Sequence, residues 1–193
     1  QPWLEAHASA AVRLLPEYGP QGLSNTAWAC AKLQVCDGPL MDAIAAEAQA
    51  KISQFHAQNL SNTSWAFAAL SIVTEQFMDS MAGAVLSKIG DFDGQAIANT
   101  AWAYAKLSSI PPWILNGLME QAFRQLPDWS PQNLTAFAWS FAALTFRSRT
   151  LMEAIAEEAV IKISQYEPQD LSNTAWAFAK LGIVHYRMLA SLS

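Results

Sequence analysis

Tryptophan recurs every 37 residues along the chain, each time inside a stretch whose apolar residues follow helical spacing. Copies of this stretch begin at residues 21, 58, 95, 132 and 169; the first reads QGLSNTAWACAKL and the last reads QDLSNTAWAFAKL. A period between 20 and 50 residues is typical of stacked repeats, and five copies in one register exclude a chance match. We call the helix that this stretch predicts the A helix.

A second recurring segment lies between these copies and predicts a partner, the B helix. In the copy LMDAIAAEAQAKISQF, Met41, Ile44 and Ile52 fall on one helical face. Proline- and glycine-containing turns separate the helices, and Ser130 followed by Pro131 predicts an N-cap that opens an A helix. Each unit is therefore predicted to be a helical hairpin.

The units predict a single helical-repeat domain over residues 1–193. It comprises a half repeat at 1–18, repeats that start near 19, 56, 93, 130 and 167, and an incomplete last repeat. No Pro-, Gly- or Ser-rich linker interrupts it. Polar capping repeats, which solenoids normally need, are not visible at either end, so we expect a longer chain or neighbours that cover the ends.

The A helix is apolar almost all round and carries one narrow polar stripe. At about 100° per residue, Gln21, Asn25 and Lys32 cluster near 160–200° from Leu23. Alanines should allow close helix approach. The aromatic residues should fill the space between units, with base stacking as the alternative for tryptophan if the indole reaches the surface. These residues are the tryptophans at 28, 65, 102, 139 and 176, together with Phe67, Tyr104, Phe141 and Phe178.

The polar stripe is the candidate partner-binding surface, expected to run as one ribbon along the stacked units. Amides both donate and accept hydrogen bonds, so they can read the edges of unpaired bases; the alternative is an amide ladder between repeats or a set of helix caps. The stripe residues are Gln21, Gln58, Gln95, Gln132, Gln169, Asn25, Asn62, Asn99, Asn173, Lys32, Lys106 and Lys180. A variable position beside the stripe, suited to base selection, holds Gly22, Asn59, Ala96, Asn133 and Asp170.

Charge limits the partners that this surface can take. The net charge is −5 and 14% of residues are charged, which argues against generic nucleic-acid affinity. B helices tend to start with an acidic residue and end with a basic residue, an arrangement that the helix dipole favours. The alternative interpretation of the basic residues is that they form a column along the solenoid that contacts phosphates. These bases are Arg13, Lys51, Lys88, Arg124 and Lys162, and Arg147 and Arg149 are expected to be solvated in a turn.

The sequence contains no motif for catalysis, cofactor binding or metal binding. His7, His56 and His185 lack metal-ligand spacing, and two cysteines are too few for a zinc site or a disulfide scaffold. Cys30 is expected to be buried, because later repeats place an aromatic residue there. No apolar run is long enough to span a membrane. We therefore predict a soluble protein that is not an enzyme and binds no cofactor.

The core Pro-Gln-x-Leu-Ser/Ala-Asn-x-x-Trp-Ala-x-Ala-Lys-Leu resembles the octotricopeptide repeats of organelle proteins in algae, dinoflagellates and related protists. EPQDLSNTAWAFAKLG, at residue 167, is the closest copy, and the similarity covers nearly the whole chain. The resemblance implies single-stranded RNA binding in a plastid, which is favoured, or a mitochondrion, with roles in transcript maturation, stability or translation. Ala136 replaces the family asparagine and Phe137 replaces threonine. The fourth repeat should therefore be the weakest reader of RNA bases, which means that it discriminates least among them.

Repeat pattern and resemblance together predict an all-α fold: an α-solenoid of stacked helical hairpins in a right-handed superhelix of the TPR/PPR type. Two functions remain for it. The first is recognition of single-stranded organellar RNA, with the asparagines on bases and the lysines on phosphates. The second is a protein–protein scaffold or accessory subunit of a large ribosomal, photosynthetic or respiratory assembly, which low charge and uncovered ends favour.

Overall fold

The computed structural model describes residues 10–72, 75–108 and 111–191, and these residues form helices joined by short turns, with no β-strand among them. The predicted all-α repeat fold is confirmed. The A helices are α1 (Pro20–Lys32), α3 (Ala57–Ala69), α5 (Gly94–Lys106), α7 (Pro131–Ala143) and α9 (Pro168–Leu181). The B helices are α2 (Gly38–Ala50), α4 (Glu75–Ser87), α6 (Pro112–Gln125), α8 (Arg149–Ile161) and α10 (Tyr186–Ser191).

The chain divides into two compact units, Gln1–Asp91 and Phe92–Ser193. In the first unit, α1 packs against α3 and α2 packs against α4. In the second unit, α7 lies between α5 and α9, while α8 packs against α6 and α10. Each unit therefore has a layer of A helices and a layer of B helices. The single domain over 1–193 stays a prediction, and its first nine residues, which include His7, lie outside the described residues.

Small side chains let the A helices approach one another closely. Ala101, Ala138 and Ala142 are fully buried in the second unit, so backbones can meet without an intervening bulky residue. The hydroxyls of Thr135 and Thr174 are buried and lie 3.0 Å apart, forming a hydrogen bond between neighbouring A helices. This arrangement agrees with the predicted role of the alanines.

Local signals set the beginnings of the A helices. Ser130 is the N-cap of α7, and its hydroxyl accepts a hydrogen bond from the Asn133 backbone N–H at 3.3 Å, with Pro131 at the first helical position, as predicted. Asp93 caps α5 in the same way through the Ala96 backbone N–H at 2.8 Å. Such caps satisfy backbone donors that the first turn leaves unpaired.

Each A helix is followed, one or two positions after its last residue, by a residue in the left-handed conformation, and these residues are again 37 positions apart. They are Gln34, Ser71, Ser108, Thr145 and Gly182, with φ between 52° and 62°. After α7, the Phe146 N–H donates to the Phe141 carbonyl at 2.9 Å and the Thr145 N–H donates to the Ala142 carbonyl at 3.0 Å. This pair of bonds is the Schellman pattern that closes helix C-termini.

We expect Thr145→Gly to stabilise the protein by about 0.5–1 kcal/mol, because a β-branched residue is strained at φ near +54° and glycine is not. Gly182→Thr, at the equivalent position of the next repeat, should destabilise it for the same reason. Urea unfolding measures both changes. A lower midpoint for Thr145→Gly than for the unmodified chain would contradict the assignment of strain.

Candidate functional site

Four side chains of each complete A-helix motif share one face because they are spaced at i, i+4, i+7 and i+11. In α1 these are Gln21, Asn25, Trp28 and Lys32. We call the equivalent set in all A helices the A-helix stripe. It consists of the predicted glutamines, asparagines and lysines together with Trp28, Trp65, Trp102, Trp139 and Trp176.

The tryptophans lie on the stripe face of the A helices, and in the second unit those of neighbouring A helices pack against one another, which agrees with the prediction that they fill the space between units. Trp28 and Trp176 are 43% and 44% exposed, and the other three are half-buried. The inner space is occupied by the aromatic residue two positions later, as with the fully buried Phe141. The helical angle of Trp28, about 140° from Leu23, already placed it beside the polar stripe.

The stripe amides are available to a partner. All five glutamines and Asn25 are exposed, and Asn62, Asn99 and Asn173 are half-buried. Within the described part of the chain, none of these amide side chains makes a hydrogen bond to another residue. The alternative of an amide ladder or cap is therefore wrong for these positions. Solvated amides in a row keep both donors and acceptors free for a ligand.

In the first unit, a lysine lies against two stripe tryptophans. The Lys32 ammonium is 5.3 Å from the ring centroid of Trp28 and 5.2 Å from that of Trp65. Both distances are within the roughly 6 Å range of a cation–π interaction. Lys32 remains exposed, so this contact orients the ammonium on the stripe without removing it from solvent.

In the second unit, three stripe tryptophans stack in a row. The ring centroids of Trp102 and Trp139 are 6.3 Å apart with the planes tilted by 30°, and those of Trp139 and Trp176 are 6.2 Å apart at 25°. These distances fall in the range of offset aromatic stacking. Each indole of the row keeps part of its surface exposed, and planar unpaired bases stack on exposed aromatic side chains.

A groove of about 260 Å³ opens on the stripe of the second unit. It is lined by Trp102, Gln132, Thr135, Ala136, Trp139, Gln169, Asp170 and Asn173. None of the lining residues is basic, and the half-buried Asp170 carboxylate makes no hydrogen bond or ion pair with the described residues. Thr135 and Ala136 were not predicted as site residues. The clue was that Ala136 breaks the asparagine series.

The variable position has different surroundings in different repeats. The Asn59 Oδ1 accepts from the His56 N–H at 3.2 Å, and its Nδ2 donates to the Ser24 hydroxyl at 3.2 Å, so Asn59 joins two A helices. Asn133 and Asp170 instead line open grooves in the second unit. Asn59 therefore has a structural role that the sequence pattern did not reveal.

Three of the five basic residues of the B helices are engaged by backbone carbonyls and are not free to form a column for phosphates. The Lys162 ammonium donates to the carbonyls of Pro127 at 2.6 Å and Leu126 at 3.3 Å, and it pairs with Glu158 at 3.2 Å. Lys51 and Lys88 likewise reach carbonyls of the preceding repeat. These three lysines tie the ends of their B helices to the turn of the preceding repeat, a role that neither sequence-based interpretation anticipated.

The other basic and thiol candidates also have local partners. Arg149 pairs with Glu153 at 2.8 Å, and Arg147 donates to the Gly182 carbonyl at 3.2 Å, both at exposed positions. Cys30 is buried as predicted. Burial, assisted by the negative charge of Asp37, raises the pKa of the Cys30 thiol, which disfavours the reactive thiolate.

Burial also sets the protonation state of Tyr166, whose phenol lies near the groove residues Thr135 and Asp170. Desolvation raises the pKa of Tyr166 to about 12, against the opposing effect of the Thr135 and Thr174 hydroxyls. The phenol is therefore neutral at physiological pH. Across the described ranges, no group of three or more His, Cys, Asp or Glu could hold a metal ion. No described helix has the length and apolarity needed to cross a membrane.

Comparison with known proteins connects this arrangement with RNA. A family model for the RNA-editing substrate-binding complex 6 protein (RESC6) matches residues 5–193. No curated protein matches the chain. The match covers nearly the entire repeat array, so it includes every residue of the A-helix stripe. The chain belongs to the RNA-editing substrate-binding complex 6 protein family, an RNA-associated family of helical proteins.

Proposed function

We propose that this protein is a helical-repeat module that binds single-stranded RNA along the A-helix stripe. The observation that carries the proposal is the alignment of partly exposed tryptophans with amides whose side chains make no hydrogen bond to any described residue. Tryptophan faces stack on unpaired bases, and amides hydrogen-bond to base edges. A duplex buries both of these features of its bases, so the same surface favours single strands.

The lysines add a small electrostatic contribution. Lys32, Lys106 and Lys180 are exposed on the stripe, whereas the B-helix lysines are engaged by backbone carbonyls. Few phosphate contacts mean that stacking and hydrogen bonding carry most of the affinity. A chain with a net charge of −5 can then bind RNA selectively without acting as a generic polycation.

Membership of the family suggests the process in which the protein binds RNA. The family is named for a complex that binds RNA-editing substrates, so we propose that the protein holds an RNA during processing and does not itself catalyse a reaction. An octotricopeptide-like mode, with repeats lying along the strand, is our proposal for the geometry. We also propose an organellar location, with RNA editing favouring the mitochondrion over the plastid.

A scaffold role within an RNA–protein complex is the second candidate. It is favoured by apolar side chains that the second unit exposes away from the stripe: Ile161 is 71% exposed, Val184 is 59% exposed and Tyr186 is 82% exposed. Exposed apolar groups of this kind are typical of protein–protein contacts. Co-purification with protein subunits that survives nuclease treatment would support this role.

The RNA proposal is tested by equilibrium binding of the protein to a random single-stranded RNA pool at low salt, with duplex RNA as the matched control. We expect binding and sequence enrichment in the single-stranded pool and much weaker binding to the duplex. Three lysine–phosphate contacts predict a slope of about −2 for log K against log salt. Absence of binding to the single-stranded pool at low salt would refute the proposal.

A further inference from the structure

We infer that the groove at Ala136 in the second unit is a binding site for one guanine base of a single-stranded RNA. The inference rests on the proposed function and specifies what part of the RNA enters this groove. It assigns the strongest base selectivity to the repeat whose motif deviates from the others. That assignment reverses the prediction that the fourth repeat is the weakest reader.

Space for a base exists because of the deviation. Four repeats carry asparagine at this position, whereas the fourth carries Ala136, which lines the groove beside Trp139. The shorter side chain removes one amide from the middle of the stripe. Trp102 and Trp139, whose rings pack against each other, both contribute apolar indole surface to the lining. A planar aromatic ligand can lie against such indole faces.

The charges of the lining favour a base over a phosphate. Asp170 is the charged residue of the lining, and its carboxylate has no ion-pair partner among the described residues. A phosphate would be repelled by this carboxylate. An uncharged base with donor groups would instead supply the hydrogen bonds that the carboxylate lacks.

Guanine matches the carboxylate best among the four bases. Its Watson–Crick edge presents N1–H and N2–H side by side, so one carboxylate can accept both bonds through its two oxygens, as it does from arginine. Uracil offers a single N3–H between two carbonyls, and cytosine and adenine each place an acceptor next to their amino group. The neighbouring amides of Gln132, Gln169 and Asn173 can then bond to the guanine O6 or N7.

In the first unit, a lysine ammonium lies over the equivalent tryptophans. There the Lys32 ammonium lies over the rings of Trp28 and Trp65, and asparagine is present at Asn62. A base that stacks on Trp28 and Trp65 would therefore lie beside the Lys32 ammonium. An ammonium attracts a phosphate or a base edge with carbonyl groups, and it repels the two N–H donors of guanine. Alanine at the asparagine position followed by aspartate at the variable position of the next repeat occurs only at Ala136 and Asp170 among the five repeats of the sequence, so the guanine site is specific to the second unit.

Binding of four eleven-nucleotide oligouridines, each with one central substitution, tests the inference. The central residue is guanosine, adenosine, cytidine or inosine; inosine keeps N1–H and lacks the N2 amino group. For the unmodified protein we expect guanosine to bind about 10-fold tighter than adenosine or cytidine, the scale of one bidentate base contact. Inosine should bind at an intermediate level.

Two variants and one control localise the effect. Ala136→Asn restores the residue of the other repeats, so it should fold normally, fill the groove and remove the guanosine preference. Asp170→Asn should also remove the preference while it preserves binding to the uridine background. Asp128→Asn removes an exposed carboxylate outside this groove. It should change neither the guanosine preference nor the binding to the uridine background. Thermal denaturation verifies that all three variants fold.

The outcomes separate this inference from the proposed function. Equal binding of all four oligonucleotides, or a guanosine preference that survives both Ala136→Asn and Asp170→Asn, overturns the guanine site and leaves RNA binding intact. Failure of the unmodified protein to bind any of the four oligonucleotides overturns the guanine site, and failure to bind the random single-stranded pool as well overturns RNA binding. Loss of the preference in both groove variants, with retention in Asp128→Asn, supports the site.

Discussion

Phe141→Ala should lower the free energy of unfolding by about 3–5 kcal/mol, the range for removal of a fully buried phenylalanine from a packed core. Phe141 has no exposed surface, and its ring lies 4.9 Å from that of Phe137 and 5.7 Å from that of Phe146. Truncation would leave a cavity inside the second unit where the A helices pack. Chemical unfolding monitored by circular dichroism measures the loss.

Phe123→Ala is the matched control for this prediction. Phe123 belongs to a B helix of the same unit and is 42% exposed, so the same substitution there should cost about 1 kcal/mol or less. Similar losses for the two variants would show that Phe141 is not the core residue of the fourth repeat. The comparison also checks the orientation of α7, because an inward Phe141 requires an outward Trp139.

The repeat and its helical hairpins could be predicted from the sequence because they depend on local and periodic signals. The 37-residue period, the helical spacing of Met41 and Ile44, and the Ser130–Pro131 cap are all visible without tertiary information. The left-handed Thr145 was not predictable in this way. A β-branched residue does not by itself indicate a positive φ. The indication would have come only from Gly182, which occupies the equivalent position of the next repeat.

The orientation of the tryptophans required the structure. Helical angle placed Trp28 next to the polar stripe, but a bulky indole among alanines equally suggests packing between units. Which way the indole points depends on which neighbouring side chain fills the interior of the unit. That side chain is the aromatic residue two positions later, as with the buried Phe67, Tyr104 and Phe141. The lysine contacts of Lys162 with the preceding turn were missed for a similar reason, since they join residues 35 and 36 positions apart.

A double variant of the stripe tryptophans, Trp139→Ala with Trp176→Ala, should weaken single-stranded RNA binding by about 30-fold or more. Loss of base–aromatic stacking costs roughly 1–3 kcal/mol per base, and the two rings lie in one stacked row. Because Trp176 is 44% exposed and Trp139 is half-buried, we expect the variant to keep its helical content. The double phenylalanine variant should retain much of the affinity, since it keeps aromatic faces at both positions.

Trp113→Ala provides the control for this second prediction. Trp113 is 45% exposed and lies on the B helix α6, away from the stripe. The substitution removes the same side chain at comparable exposure. It should leave RNA affinity within about twofold of the unmodified protein, because it touches none of the proposed stacking surface.

One comparison of dissociation constants decides whether the tryptophans of the A-helix stripe form the RNA-contacting surface. Fluorescence anisotropy with a labelled single-stranded RNA at fixed low salt gives the values for the stripe double-alanine variant and for Trp113→Ala. We predict a large loss of affinity for the first and no loss for the second. Equal affinities, or a larger loss for Trp113→Ala, would contradict the account.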